Sequence, residues 1–262
     1  MKLMILVTSL LILISCSTTK TIPAEKLEQH VYWGSSESNE LFNQSEAKED
    51  FYLLSNNFRA QPNRVLCGPT SGSIVMNAFQ EIKNHESLPK DHYDAGTEKE
   101  WLKKGFDLRI HTYTPYNFVN SLKPAQAKSW TEIHGMPKKG EKKDWGLQVR
   151  QLDQIFKSHG INSKLKVVSE EMKIEEFVKD LEKNLATRND YIVINYKRSA
   201  LGQKGGGHIS PIAAYDKQTR RVLIMDVNPN KYPWVWVSAK DLFKSMQTFD
   251  TVENRGYVIL SK

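Results

Sequence analysis

The strongest constraint on the fold is where two periodicities fall along the chain. Strand-like runs gather late, at Tyr191–Tyr196, His208–Tyr215, Arg221–Val227 and Gly256–Leu260, and only Ile161–Val168 alternates earlier. Helical spacing dominates before them. A short helix is predicted over Glu46–Asn56, leading toward Phe58, and a longer one from Cys67 to about Lys83, weakened by Gly72 and by β-branched residues. Leu147, Leu152, Ile155 and Phe156 share one helical face that ends at Gly160, a suitable C′ glycine. Ser169 is predicted to cap a helix through Leu185, with Met172, Ile174, Phe177, Val178 and Leu181 on its buried stripe. Ser238 caps another to Met246. Residues 84–145 hold no clear period and read as an elaborated insertion with a short helix around Tyr116–Leu122. Helices first and strands last define an α+β architecture, and no internal repeat is visible.

The start of the chain, MKLMILVTSLLILISC, carries Lys2 and an apolar stretch too short to span a bilayer, the pattern of a secretory signal. Its end, Leu13-Ile14-Ser15-Cys16, looks like a bacterial lipobox, in which cleavage precedes a cysteine that is then acylated. Residues 1–15 are therefore expected to be a lipoprotein signal, and residues 16–45 the lipidated Cys16 followed by a polar tether and irregular approach. Residues 46–262 form the expected catalytic domain. On this reading the protein is exported and sits on the periplasmic side of a bacterial membrane, held there by several acyl chains.

With Cys16 acylated, Cys67 is the one thiol left in an oxidising compartment. A free cysteine also serves as a small buried hydrophobe, so its surroundings must decide. Cys67 stands at a predicted helix start, with Pro69 in the first turn where a missing N–H is harmless. Unpaired backbone N–H groups at that end favour a thiolate. The base candidate is His208, which follows Gly205-Gly206-Gly207 and opens a strand; the other six of seven histidines lie in polar contexts without zinc-ligand spacing. Asp226 interrupts an apolar strand end and needs a partner, which an imidazole N–H would supply; Asn228 is the amide alternative. The net charge of +7 comes from basic residues spread along the chain. They form no nucleic-acid stripe and suit small anions or lipid headgroups.

Together these residues resemble the phytochelatin synthases, particularly their short prokaryotic members. The resemblance runs through Glu49-Asp50-Phe51, Phe58 to Asn63, Cys67-Gly68 and Met76-Asn77-Ala78. It resumes at Ile194 to Arg198, Gly202-Gln203, Gly206 to Pro211, Asp226-Val227-Asn228, Lys231-Tyr232-Pro233, Trp236-Val237, Asp250-Thr251 and Arg255-Gly256-Tyr257. It implies a papain-like cysteine peptidase fold turned to glutathione, the helical part carrying the cysteine and the antiparallel sheet the histidine and aspartate. Cys67 matches the nucleophile, His208 the base, Asp226 its orienting acid and Gln61 the oxyanion donor. Asn195, Arg198 and Gly207 match positions lining the γ-glutamyl side of the acyl site, with Arg198 suited to a substrate carboxylate. Tyr232 is placed with them. Asp250 and Arg255 match an acid–base pair near that site, with a structural ion pair equally open. Asn228-Pro229-Asn230 departs from the family's Ala-Arg-aromatic, Val65-Leu66 departs before the cysteine, and the cysteine-rich C-terminal region of the plant members has no counterpart.

The resemblance implies a γ-glutamylcysteinyltransferase or peptidase that releases glycine from glutathione and passes γ-Glu-Cys to water or to a second glutathione. No tightly bound cofactor and no protein-held metal are expected; cadmium or zinc would enter as a thiolate complex of the substrate. Partners are glutathione and the membrane, no nucleic acid, with a homodimer left open. Two other readings stand beside it: a papain-like amidase with another γ-glutamyl substrate, and a non-catalytic thiol-binding lipoprotein.

Overall fold

The computed structural model describes residues 27–79, 88–91, 100–101, 103–120, 128–136, 140 and 143–262. The expected signal and Cys16 lie outside these residues. Seven strands form one antiparallel sheet: β1 (Val31–Tyr32), β2 (Asn162–Val167), β3 (Asp190–Lys197), β4 (Gly207–Asp216), β5 (Arg221–Ile224), β6 (Val235–Ser238) and β7 (Gly256–Ser261), in the order β1-β6-β5-β4-β3-β7-β2. Helices α1 (Ser36–Gln44), α2 (Glu49–Asn56), α3 (Cys67–Ala78), α4 (Pro115–Asn120), α5 (Trp130–Ile133) and α6 (Val149–Ser158) pack on one face. Helices α7 (Ile174–Asn184) and α8 (Ala239–Met246) cover the other.

Both faces of the central strands are thus buried. Along β3, Tyr191 and Val193 enter the core under α3, while Ile192, Ile194 and Tyr196 enter the core under α7 and α8. That two-sided burial explains why the strand reads as a nearly continuous apolar run. Asn195, on the α3 face, is the polar exception in the middle of the strand.

Several expectations are revised. The tether drawn from residue 16 to 45 is ordered over its described part. There β1 adds to the sheet edge, and Ser35 caps α1 by accepting the Ser38 N–H at 3.1 Å. Ser38 in turn accepts the buried Trp236 Nε1–H at 3.2 Å, so a polar stretch is recruited by one aromatic side chain from β6. The unit therefore begins ahead of residue 46. Ser169 caps nothing: α7 starts at Ile174 behind Lys173, and Ser169 instead offers its carbonyl to Met172 N and to Gln247 Nε2. The run expected over Arg221–Val227 ends as a strand at Ile224, and Met225 N donates to Pro211 O of β4 at 3.0 Å. The insertion contributes α4 and α5 among its described residues.

Gly72, which weakens α3 as a sequence, is required by packing. A Cβ there would lie 2.2 Å from the Phe118 ring of α4. Replacing Gly72 by Ala is expected to destabilise the protein by about 1–3 kcal/mol through overpacking, despite the gain in helix propensity. Chemical denaturation of the Gly72→Ala variant checks it; an unchanged midpoint would contradict the close approach.

Asp50, on α2, is buried with both carboxylate oxygens unpartnered. Burial, with the neighbouring charges of Asp190 and Glu49, pushes its pKa well above the usual range, and burial lifts Asp190 to about 6. A raised native pKa means the folded state holds its proton more tightly. The associated stability is present below the unfolded value near 3.8 and is lost as pH rises through the folded value. Asp50→Asn is therefore expected to raise the melting temperature at pH 8 and to lose that advantage near pH 4. Melting curves across this range test the sign.

Candidate active site

The chemistry-bearing residues come from elements distant in sequence. Cys67 is the first residue of α3, His208 lies near the start of β4, and Asp226 follows β5. All three are buried, Asp226 completely. His208 Nε2 stands 2.9 Å from Asp226 Oδ1, which leaves Nδ1 for its hydrogen bond with the Cys67 thiol. Ser71, one turn into α3, fixes the approach of the two halves: its hydroxyl contacts Cys67 O at 2.9 Å and Ile209 O at 3.1 Å. Gly68 permits it, since a Cβ would press on Ile209 Cδ1 and on Leu147 at 3.2 Å.

The electrostatics follow from burial and pairing. Burial by itself would raise the Cys67 pKa, but the hydrogen bond and charge of His208, with backbone contacts at Ile209 and Gly68, outweigh it and leave the thiol below its ordinary value. For His208, burial disfavours the imidazolium, yet Asp226 and Cys67 outweigh that and raise its pKa. Asp226 is likewise opposed by burial and held low by His208, Arg198 and the Asn228 N–H at 2.8 Å. The three shifts favour a thiolate–imidazolium pair backed by a carboxylate.

Arg198 lines the cleft beside His208, and its guanidinium is also engaged within the protein. Its Nη2 donates to Asp226 Oδ1 at 2.8 Å and lies 2.7 Å from Oδ2, while Nη1 donates to Gln203 Oε1 at 2.9 Å. The guanidinium is buried and lies over the Tyr232 ring at 5.1 Å. Its charge neutralises the buried aspartate, so a substrate carboxylate would compete with Asp226 for it. Removing one partner of such a buried pair typically costs about 3–5 kcal/mol, because the other charge stays uncompensated. Tyr232 supports the arginine and accepts the Lys204 N–H at 2.7 Å.

Gln61 reaches the same place from the loop after α2. Its backbone N–H donates to Val227 O at 2.7 Å, tying the loop to the residue after Asp226. One side-chain N–H donates to Asn63 O at 2.6 Å, and the second proton of the amide remains to donate. Beside them lies a second cluster. Asn195 Nδ2 donates to Asp250 Oδ2 at 3.0 Å, and Arg255 Nη2 donates to Asp250 Oδ1 at 2.8 Å. Arg255 lies against Gly207, where a Cβ would meet Nη2 at 3.1 Å, and its Nε is buried without an acceptor.

A cleft of about 700 Å³ opens along Gln61, Gly207 and His208. No carboxylate lines it, while Arg64 and Lys231 do, and neither has a carboxylate partner among the described residues. Ser71, Arg64, the bond of Gln203 to Arg198 and the neutralising role of Arg198 escaped the sequence reading. Serine in a helix and glutamine in a loop carry no pattern of their own, and the family motif around Arg198 says nothing of which carboxylate it meets.

Sequence comparison decides the kinship of this constellation: the phytochelatin synthase profile matches residues 22–257. The chain belongs to the phytochelatin synthase family. Among its relatives is a glutathione gamma-glutamylcysteinyltransferase of Schizosaccharomyces pombe, 32% identical over 117 residues, covering 44% of this chain and 28% of that protein. Glutathione gamma-glutamylcysteinyltransferase 1 of Arabidopsis thaliana is 25% identical over 236 residues, 88% of this chain and 41% of the relative. Glutathione gamma-glutamylcysteinyltransferase 2 of the same plant is 25% identical over 237 residues, 88% and 44%. This phytochelatin synthase family member thus spans less than half the length of these relatives.

Because iodoacetamide reads the thiolate, which His208 stabilises, alkylation of Cys67 is expected to begin below the ordinary thiol range. His208→Ala should move its onset upward, and Asp226→Asn should move it upward by less, because the imidazolium that stabilises the thiolate loses its own supporting charge. Rate–pH profiles of the three proteins check this; coincident profiles would contradict the pairing.

Proposed function

We propose that this chain is a glutathione γ-glutamylcysteinyltransferase or peptidase in which Cys67 is the nucleophile. The observation that carries the reading is the hydrogen-bonded run from Cys67 to His208 to Asp226, set at the N-terminus of α3. The arrangement of a helix-borne thiolate against a sheet-borne histidine and aspartate supports a papain-like form of the mixed helix–sheet fold.

In this reading the Cys67 thiolate attacks the carbonyl of the Cys–Gly amide of glutathione. The tetrahedral oxyanion is met by the free side-chain N–H of Gln61, a contact of the sort worth about 3–4 kcal/mol in serine peptidases. His208 gives its proton to the departing amine, and glycine leaves a γ-Glu-Cys thioester on Cys67. Water, activated by the now neutral His208, releases γ-glutamylcysteine; alternatively the amine of a second glutathione takes the acyl group and extends the chain. Arg64 and Lys231, without a carboxylate partner among the described residues beside the acid-free cleft, suit the glycine carboxylate that glutathione presents on the leaving side. Asn195, Asp250 and Arg255, with the close approach at Gly207, suit the γ-glutamyl side.

Cadmium or zinc belongs to this scheme as a glutathione thiolate, on the substrate and not on the protein. Anchoring through Cys16 on the periplasmic side of a membrane accompanies the reading; a short apolar stretch ending in Leu13-Ile14-Ser15-Cys16 supports it.

Intact-mass measurement after brief exposure of the protein to glutathione tests the reaction. A gain matching γ-Glu-Cys, with free glycine in solution and neither in Cys67→Ala, is expected. An unmodified Cys67 that still reacts with iodoacetamide would turn the reading to an amidase with another substrate.

A further inference from the structure

The insertion between Cys67 and His208 reaches back to the γ-glutamyl side of the cleft through one carboxylate. Asp144, just before Gly146, accepts a hydrogen bond from Thr251 Oγ1 on Oδ1 at 2.7 Å. Thr251 adjoins Asp250, the residue bonded to both Asn195 and Arg255. On its other oxygen Asp144 accepts Gln148 Nε2 at 3.1 Å and a close contact from Lys128. Lys128 is largely buried, and its ammonium also donates to the backbone carbonyls of Asp144 at 2.9 Å and Gly146 at 3.0 Å. All three of its protons are thereby engaged in holding this one loop.

The same loop is bolted to the nucleophile's helix. Gly146 takes a positive φ of 73°, which turns the chain so that its N–H reaches Ile133 O at 2.9 Å and Leu147 packs against Gly68. From the far side, the turn that carries Thr251 closes on itself through Asp250 N to Glu253 O at 2.8 Å, and Arg150 of α6 grips Glu253 at 2.6 and 2.7 Å. That second tie is solvent-exposed, where screening by water leaves an ion pair little strength. The Asp144–Thr251 bond also reaches solvent at Thr251, but its acceptor is mostly buried and held by the buried Lys128, which makes it the better anchored of the two ties on this turn. The Asp144 charge also favours the protonated state of Arg255, against a larger opposing effect of burial.

We propose that Asp144, seated by Lys128, is a positioning residue: it fixes the Asp250–Arg255 pair against Asn195, so that the inserted segment sets the affinity for the γ-glutamyl end of the substrate. It touches neither Cys67 nor His208, and the thiolate–imidazolium pair is independent of it. This rests on the reaction assigned above. The consequence is a division of labour within the site, with turnover governed by α3, β4 and the Asp226 loop, and substrate affinity governed by the meeting of the insertion with the Thr251 turn.

Steady-state glycine release from glutathione by Thr251→Val, Asp144→Asn, Asp144→Ala and the double variant Asp144→Ala/Thr251→Val tests the proposal. Thr251→Val deletes only the hydroxyl, and is expected to raise KM about tenfold while kcat changes less than about twofold. Asp144→Asn keeps an acceptor for Thr251 and should recover part of the affinity that Asp144→Ala loses. The double variant should be no worse than the poorer single one, since both remove one bond. An unchanged KM in Thr251→Val overturns the proposal. So does a loss in which kcat falls with the melting temperature and KM stays constant, the signature of a merely structural contact. Absence of glycine release by the unsubstituted protein would overturn the assigned reaction, and this proposal with it.

Discussion

The buried carboxylate of Asp226 is the interaction on which the site depends. It is fully enclosed, and an ion in that position is tolerable only if its lone pairs are met. Oδ1 takes three hydrogen bonds, from His208 of β4, from Arg198 of the turn after β3 and from the Asn228 N–H of its own loop, while Oδ2 is met by the Arg198 charge at 2.7 Å. Each partner is then placed by the need to reach it. Arg198 draws Gln203 and Tyr232 around it, and the backbone of Gln61 is fastened to Val227, the next residue along. His208, held through Nε2, can offer only Nδ1 to the thiol.

Charge neutralisation of Asp226 and stabilisation of the Cys67 thiolate are therefore one arrangement. Arg198 keeps Asp226 ionised without contacting Cys67, and Asp226 keeps His208 protonated enough to stabilise the thiolate. The acid-free cleft continues the same logic outward. With Asp226 already matched, Arg64 and Lys231 leave an excess of positive charge where an anionic peptide would sit. On the other side, Asp250 and Arg255 form a nearly neutral pair suited to reading an ammonium and a carboxylate on one carbon.

The molecule's two halves meet at this place, and the joints are small polar contacts. Ser71 bridges α3 to β4 with a single hydroxyl, and Asp144 bridges the insertion to the Thr251 turn. Such contacts are short-range and directional, so they fix registration to a few tenths of an ångström, which apolar packing alone leaves looser. Glycines do the complementary work where backbones must come close, at Gly68 and Gly72 on the nucleophile's helix.

The sequence by itself determined most of the elements and singled out residues that the fold brings together. The apolar strands β3, β4 and β7, the amphipathic α6, the cap at Ser238 and the trio of Cys67, His208 and Asp226 were all legible, because burial periodicity and residue chemistry are local properties. The tertiary structure decided who partners whom. Ser36–Gln44 reads as a polar tether until Trp236 of β6 gives Ser38 a buried hydrogen bond. Ser169 reads as a cap until Gln247 claims its carbonyl. Nothing local in the sequence says that Arg198 meets Asp226 as well as lining the cleft, and Asp144 has no motif at all. Each of these outcomes hinges on a residue tens of positions away, and a directional bond to a distant partner leaves no period in the chain that makes it.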